Sequence, residues 1–298
     1  MKKLGVLVVI STLFLTGCQT KSATVSDISE SAITLPIVHS GEVAQYSRIV
    51  ALANGSAEVV AALGYGNQLV GRDVASTIPE LSNVPIDNPG HSISTELVLS
   101  QRPDLIIIDA NSSPATAIAT LKSSGVKVVT IKDSFDVAGI LKKDAAIGAL
   151  LGVPRASSAL QKLITALNYS KSPTKVLFLY LRGTASIYLI GGKGSGADSL
   201  ITTMGFRDLG SENLKQPFSA MTAEELVKLN PDLILLMSKG LQSVGGLSGL
   251  TSLPGVAQTR AGKEGRVVTV DDSLLLSFGP RTPGMMELLR KNILKAMA

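Results

Sequence analysis

Few residues in this 298-residue chain can do nucleophilic, acid–base or metal chemistry: it has one cysteine, two histidines and no tryptophan. A single cysteine excludes an internal disulfide framework and any Cys-based zinc site. Two histidines leave little room for His-dependent triads or His-rich metal centres. His91 stands in Asn88-Pro89-Gly90-His91-Ser92-Ile93, a Pro-Gly loop. A lone loop histidine is either a turn residue or a ligand, and its neighbours leave both open. Tyr180 and Arg182 stand two apart at the end of the apolar run Val176-Leu177-Phe178-Leu179. If the strand extends that far, both side chains leave on the same face. A guanidinium beside a phenol favours the ionised form, a hard anionic donor that prefers ferric iron. The plainer alternative is a tyrosine closing a strand with its arginine in solvent.

Two enzymatic patterns fail on spacing. Gly192-Lys193-Gly194-Ser195-Gly196 has the composition of a phosphate-cradling loop but matches neither G-x-G-x-x-G nor G-x-x-x-x-G-K-[ST]. Ser195 sits in Gly194-Ser195-Gly196 rather than G-x-S-x-G, so an extracytoplasmic α/β hydrolase is the weakest alternative. The formal charge of +5, without a basic run, gives no reason to expect nucleic acid as a partner.

The cysteine points elsewhere. Met1-Lys2-Lys3 precedes an apolar run from Leu4 to Leu15, too short to span a bilayer comfortably, and Leu15-Thr16-Gly17-Cys18 follows. This resembles a bacterial lipoprotein signal, with cleavage before Cys18 and lipidation of that thiol. The expected result is a chain held at the extracytoplasmic face of the membrane by lipid alone. Several acyl chains, at about 0.8 kcal/mol per buried CH₂, anchor stably where one does not. Residues 18–46, which include His39, are rich in Ser, Thr, Ala and Val and read as a flexible tether.

The elements that must position His91 and Tyr180 are duplicated. Ser94-Thr95-Glu96 opens a short amphipathic segment that ends in Pro103-Asp104 and runs into Leu105-Ile106-Ile107-Ile108. Thr222-Ala223-Glu224 opens a matching segment that ends in Pro231-Asp232 and runs into Leu233-Ile234-Leu235-Leu236. Each reads as an N-capped helix with an acidic first turn, a proline stop and a strand buried on both faces. A second pairing matches the strand and helix of residues 48–65 to those of residues 186–206. Between the halves, helical spacing runs from Phe135 to about Asn168. It is interrupted at Gly152-Val153-Pro154, where the proline should kink or restart one long connecting helix. The expected fold is α/β, with two Rossmann-like lobes joined by that helix and a ligand cleft between them.

This order, together with the lipobox and both Glu-x6-Pro-Asp segments, resembles the substrate-binding lipoproteins of bacterial ABC importers for cobalamin, iron siderophores and heme. The loop of His91, the segment of Tyr180 and Arg182, the glycine loop 191–198 and Phe278-Gly279-Pro280-Arg281-Thr282 resemble, within that class, the HmuT-type heme-binding lipoproteins. The resemblance implies heme as the transported ligand, with its iron held between His91 and Tyr180 and Arg182 bonded to the tyrosine. It implies an ABC permease and its ATPase as partners, Glu96 and Glu224 as docking residues, and a monomeric receptor rather than an enzyme. Arg72, Lys193 and Arg281 are the candidate cations for the heme propionates. A siderophore or cobalamin carrier is the alternative on the same fold. The expected boundaries are residues 1–17 for the signal peptide, 18–46 for the tether, 47–134 for the N-terminal lobe, 135–169 for the connecting helix and 170–298 for the C-terminal lobe.

Overall fold

The two unalternating apolar runs are inner strands of two separate sheets in the computed structural model, which describes residues 25–38, 43, 45–89, 92–132 and 135–298. The strands in chain order are β1 (Ser26–Ile28), β2 (Ile49–Ala51), β3 (Leu69–Arg72), β4 (Leu105–Asp109), β5 (Lys127–Ile131) and β6 (Lys175–Arg182). They continue with β7 (Ile187–Gly191), β8 (Arg207–Asp208), β9 (Phe218–Ala220), β10 (Leu233–Met237) and β11 (Val267–Val270). The first sheet is parallel, in the order β3-β2-β4-β5. The second runs β1-β11-β10-β6-β7-β9 with β8 beside β6, and β7 is antiparallel to both β6 and β9.

Helices α1 (Ser56–Val60), α2 (Thr95–Ser100) and α3 (Ala115–Ser123) belong to the N-terminal lobe, and α4 (Val137–Leu150) and α5 (Pro154–Thr165) follow as the connector. The C-terminal lobe carries α6 (Ala197–Thr203), α7 (Leu209–Asn213), α8 (Ala223–Leu229), α9 (Ser238–Ser243), α10 (Gly246–Ser252), α11 (Arg260–Glu264), α12 (Asp272–Ser277) and α13 (Thr282–Met297). The fold is the expected two-lobed α/β arrangement. Each sheet is covered on both faces, as the apolar runs of β4 and β10 require, and both strands are fully buried.

The Glu-x6-Pro-Asp duplication holds residue by residue. Ser94 Oγ accepts from Leu97 N, and Thr222 Oγ1 accepts from Glu225 N, so both segments are N-capped helices. Arg102 and Asn230, each preceding the proline, both take positive φ, at 50° and 45°. Asp104 accepts from the backbone of Ser47 and Arg48 at the start of β2, and Asp232 accepts from Lys175 N at the start of β6. This makes β6 the counterpart of β2. The second pairing drawn from sequence is therefore superficial: it matches β2 to β7, which is an antiparallel strand with no equivalent in the first sheet.

Two expectations about the connections are corrected. The connecting segment is two helices rather than one long one. The chain turns back at Leu151–Val153, with Gly152 at φ 78°, so that α5 packs alongside α4. Gln161 Nε2 donates to Leu141 O at 3.3 Å, and Gly148 approaches Ser157 so closely that a Cβ would lie 2.4 Å from the serine Cβ. A left-handed glycine followed two residues later by a proline ends one helix and starts another, a stronger interruption than a kink.

Residues 25–38 are not a free tether. Strand β1 adds to the edge of β11, Ile28 is 1% exposed in the C-terminal core, and Leu35 is buried in the N-terminal core. Asp27 Oδ1 accepts from Ser238 Oγ and Thr269 Oγ1, and Val38 N donates to Ala62 O. The segment crosses from one lobe to the other as a strap. Its few apolar anchors sit among polar residues without a repeat, so periodicity could not find them. Cys18, His39 and the expected signal peptide lie outside the described residues. No helix among the described residues is long and apolar enough to cross a membrane.

Candidate ligand-binding site

Strand β6 presents its side chains alternately. Leu177, Leu179 and Leu181 enter one core layer, while Val176 and Phe178 enter the other, with Tyr180 packed against it. Because β6 stays extended to Arg182, Tyr180 and Arg182 share the face that looks toward the junction of the lobes. There Tyr180 meets a pocket of about 610 Å³, walled also by Phe135, Phe178, Phe218, Met237 and Phe278, with Asn54 contributed by the N-terminal lobe. The chain has six phenylalanines and five tyrosines. Five of these aromatics gather at this one pocket, so the lining is not the aliphatic and loop surface that a low aromatic content suggests.

The rings are arranged in two edge-on pairs. Phe135 meets Phe278 at 6.1 Å between centroids and 80° between planes, and Tyr180 meets Phe218 at 5.6 Å and 63°. Gly196, at φ 88°, lets the glycine loop close against the first pair, because a Cβ there would come within 3.0 Å of the Phe278 ring. The loop's own amides are occupied. Asp198 accepts from Gly194 N at 2.8 Å and Gly196 N at 3.0 Å, and Lys193 N donates to Leu214 O. These bonds leave no row of free N–H groups for a phosphate, as the motif spacing indicated.

Arg182 lies with its guanidinium carbon 4.7 Å from the Tyr180 ring centroid. It donates to Leu181 O at 2.9 Å, and its far nitrogen stands 3.8 Å from Asp272 Oδ1. The arginine therefore faces the ring of the tyrosine as a cation–π partner. Asp272 is buried, which raises its carboxyl pKa against the opposing pull of Arg182.

The expected cations separate sharply. Arg72 is 9% exposed and donates to Val84 O and Ser76 O, so it braces its own lobe. Arg281 is 1% exposed and grips Glu58 of the other lobe with two bonds, at 2.5 and 3.0 Å. Neither reaches the pocket with a free guanidinium, and both are withdrawn as propionate partners. Sequence reading gave them cationic character but could not show that each had an internal partner. Lys193 is exposed, lines a polar pocket beside this one, and stays available. His91 lies outside the described residues. Its flanks are pinned, since Asn88 Oδ1 accepts from Val74 N, Asn88 Nδ2 donates to Leu52 O, and Ile93 N donates to Ser113 O. Glu96 and Glu224 are both exposed in the first turns of α2 and α8 and make no salt bridge among the described residues.

Behind the pocket, buried charge fastens the lobes. Besides Glu58 and Arg281, Lys143 of α4 donates to Asn54 O of one lobe at 2.7 Å and to Ser277 O of the other at 2.8 Å. Burial pushes the Glu58 carboxyl up to about 7 even with Arg281 opposing, and Asp73, which accepts from Gly55 N and Ser76 Oγ, is also raised by burial. Among the described residues no three of His, Cys, Asp and Glu converge as a site for a bare metal ion.

An apolar pocket at the junction of two α/β lobes, with a tyrosine on its wall, defines a binding protein, and comparison with known proteins agrees. Residues 49–274 match the model of the periplasmic binding protein family, and the chain belongs to that family. A crystal structure of the heme binding protein HmuT is 32% identical, with a TM-score of 0.74 over 83% of this chain and 84% of that one. The periplasmic heme-binding protein RhuT from Roseiflexus sp. RS-1, in apo form, is 30% identical, with a TM-score of 0.77 over 85% and 99% of the two chains. YvrC of Bacillus subtilis (strain 168), described as an uncharacterized ABC transporter substrate-binding lipoprotein, is 26% identical over 83% of this chain and 79% of its own length.

Proposed function

We propose that this protein is a lipid-anchored extracytoplasmic receptor that captures ferric heme and delivers it to an ABC permease and its ATPase. The observation that carries this reading is Tyr180, half-buried on the wall of an apolar, aromatic-lined pocket, with a guanidinium over its ring. A phenolate oxygen is a hard donor that suits ferric iron, and tyrosine is an established type of heme ligand. The rest of the wall is mostly apolar, as a porphyrin face requires, and Lys193 in the adjoining polar pocket is placed for a propionate. The heme-binding structural neighbours support the same cargo. A ferric siderophore, polar over most of its surface, would leave this lining without matching donors and acceptors. His91 supplies the second iron ligand in this reading, and Cys18 carries the lipid.

Titration of the lipid-free chain with hemin tests the proposal. A Soret band that survives desalting is expected. Tyr180→Ala should weaken binding by more than about a hundredfold, since loss of a group one shell further from a metal already costs about ten- to a hundredfold. His91→Ala should cost less. Unchanged affinity and spectrum in Tyr180→Ala would reject the assignment, and retention of a ferric siderophore in place of hemin would favour the alternative cargo.

A further inference from the structure

The apolar pocket has a neighbour. A second pocket of about 410 Å³ is lined by Asn111, Phe135, Asp136, Lys193, Asp198 and Ser199, and Phe135 with Gly194 stands in the wall of both. The two chambers differ in chemistry, the first apolar and aromatic, the second polar with Lys193 as the cation in its lining. Both carboxylates of the second chamber accept from backbone donors, which hold them in place without removing their charge. Asp136 Oδ1 caps Gly139 N at 2.5 Å, and Asp198 closes the glycine loop through Gly194 N and Gly196 N. An anionic group entering there has Lys193 to meet.

The dividing ring packs edge-on against a buried partner but is itself exposed. Phe278, its edge-on partner, is 5% exposed, whereas Phe135 is 39% exposed. Phe135 also sits at the entry to the connector, one residue before the cap of α4, and its side chain lines both pockets. We infer that Phe135 is a movable wall between an apolar chamber and a polar one, displaced by a flat ligand whose apolar body fills the first and whose carboxylate edge reaches Lys193 in the second. This rests on the heme reading and deepens it. Once displaced, the ring lies against the face of the macrocycle and retards its departure. The ligand class so selected is an amphipathic plate with its negative charge along one edge. A uniformly apolar plate fills one chamber and a small anion the other, and neither engages both.

The test is the rate at which bound hemin passes from the lipid-free chain to an excess of an apo-globin acceptor, measured for hemin and for its propionate dimethyl ester. Phe135→Ala should release both compounds about tenfold faster, the order expected for loss of one aromatic contact, with an unchanged Soret maximum. Lys193→Ala should accelerate release of hemin and leave the ester unaffected. A Phe135→Ala rate within twofold of wild type overturns the inference, as does a shifted Soret maximum, which would place the residue's effect at the iron. A wild-type chain that takes up no hemin overturns the functional reading itself, so the two failures are distinguishable. Phe135 is exposed enough that its truncation leaves no buried cavity.

Discussion

Asp144 is buried on α4, and neither of its carboxylate oxygens has a hydrogen-bond partner. Burial raises its pKa from 3.8 to about 7, with Lys143 alone opposing the shift. A raised carboxyl binds a proton in the folded chain that the unfolded chain has released between about pH 4 and 7. The free energy of unfolding therefore falls as pH rises through that interval. Glu58, raised to about 7, and Asp87 and Asp208, each raised to about 6, act with the same sign. Thermal unfolding followed from pH 5 to pH 8 should show a falling midpoint. Asp144→Asn, which keeps the shape without the titration, should flatten part of that fall; parallel profiles for the two proteins would contradict the assignment. The Glu58–Arg281 pair is a different case, because its two bonds join the lobes. Its desolvation cost offsets much of its attraction, so the pair contributes to the fixed geometry of the junction more than to net stability.

At the scale of elements, the strap of residues 25–38 is the part of the fold that sequence reading missed. Ile28 is 1% exposed in the C-terminal core, and Glu30 accepts from Thr77 of one lobe and Ser273 of the other. Ile28→Ala should destabilise the protein by about 2–4 kcal/mol, as a cavity in a packed core does. Ile37→Ala, at a position 46% exposed, should change stability by less than about 0.5 kcal/mol. Denaturant unfolding of both variants checks the contrast, and equal small losses would mean that the strap is dispensable. The repeated Glu-x6-Pro-Asp elements were legible because capping, proline stops and doubly buried strands each leave a local mark in residue type. Tyr180 and Arg182 were legible as a pair for the same reason, since a two-residue step along a strand fixes a common face. The pairing of β1 with β11 leaves no such mark. The same holds for the ring cluster of Phe135, Phe178, Phe218 and Phe278, whose members are scattered over residues 135–278 and meet only when the lobes fold. Arg72 and Arg281 failed as site residues because a charge in sequence carries no record of its partner.

At the scale of the whole molecule, the matched helices α2 and α8 place one exposed glutamate on each lobe, in no ion pair among the described residues. Duplication preserved the caps, which explains the helices. It does not require Glu96 and Glu224 to remain exposed, and an exposed charge on each lobe suits a receptor that meets two halves of a permease. Glu96→Ala combined with Glu224→Ala should leave hemin binding within about twofold of wild type, because neither residue lines the pocket, and should abolish uptake by cells that depend on the transporter. Retained uptake in the double variant would remove both residues from docking, and lost hemin binding would place them in the cargo site. Rim charges of this kind act chiefly on encounter and register, so raised ionic strength should weaken docking of the wild type in the same direction.

The strap also sets an order of events during folding. Residues 26–28 pair with residues 268–270, so one of the first segments to emerge finds its seat in one of the last. Until β11 has formed, Ile28 has no core to enter, and β10 presents an unpaired edge. The C-terminal lobe is therefore completed by a closure across nearly the whole chain, the slowest kind of contact to make. A chain made from its N-terminus must hold that segment unseated until residues 267–270 are in place, and only then can the strap lock the lobes together.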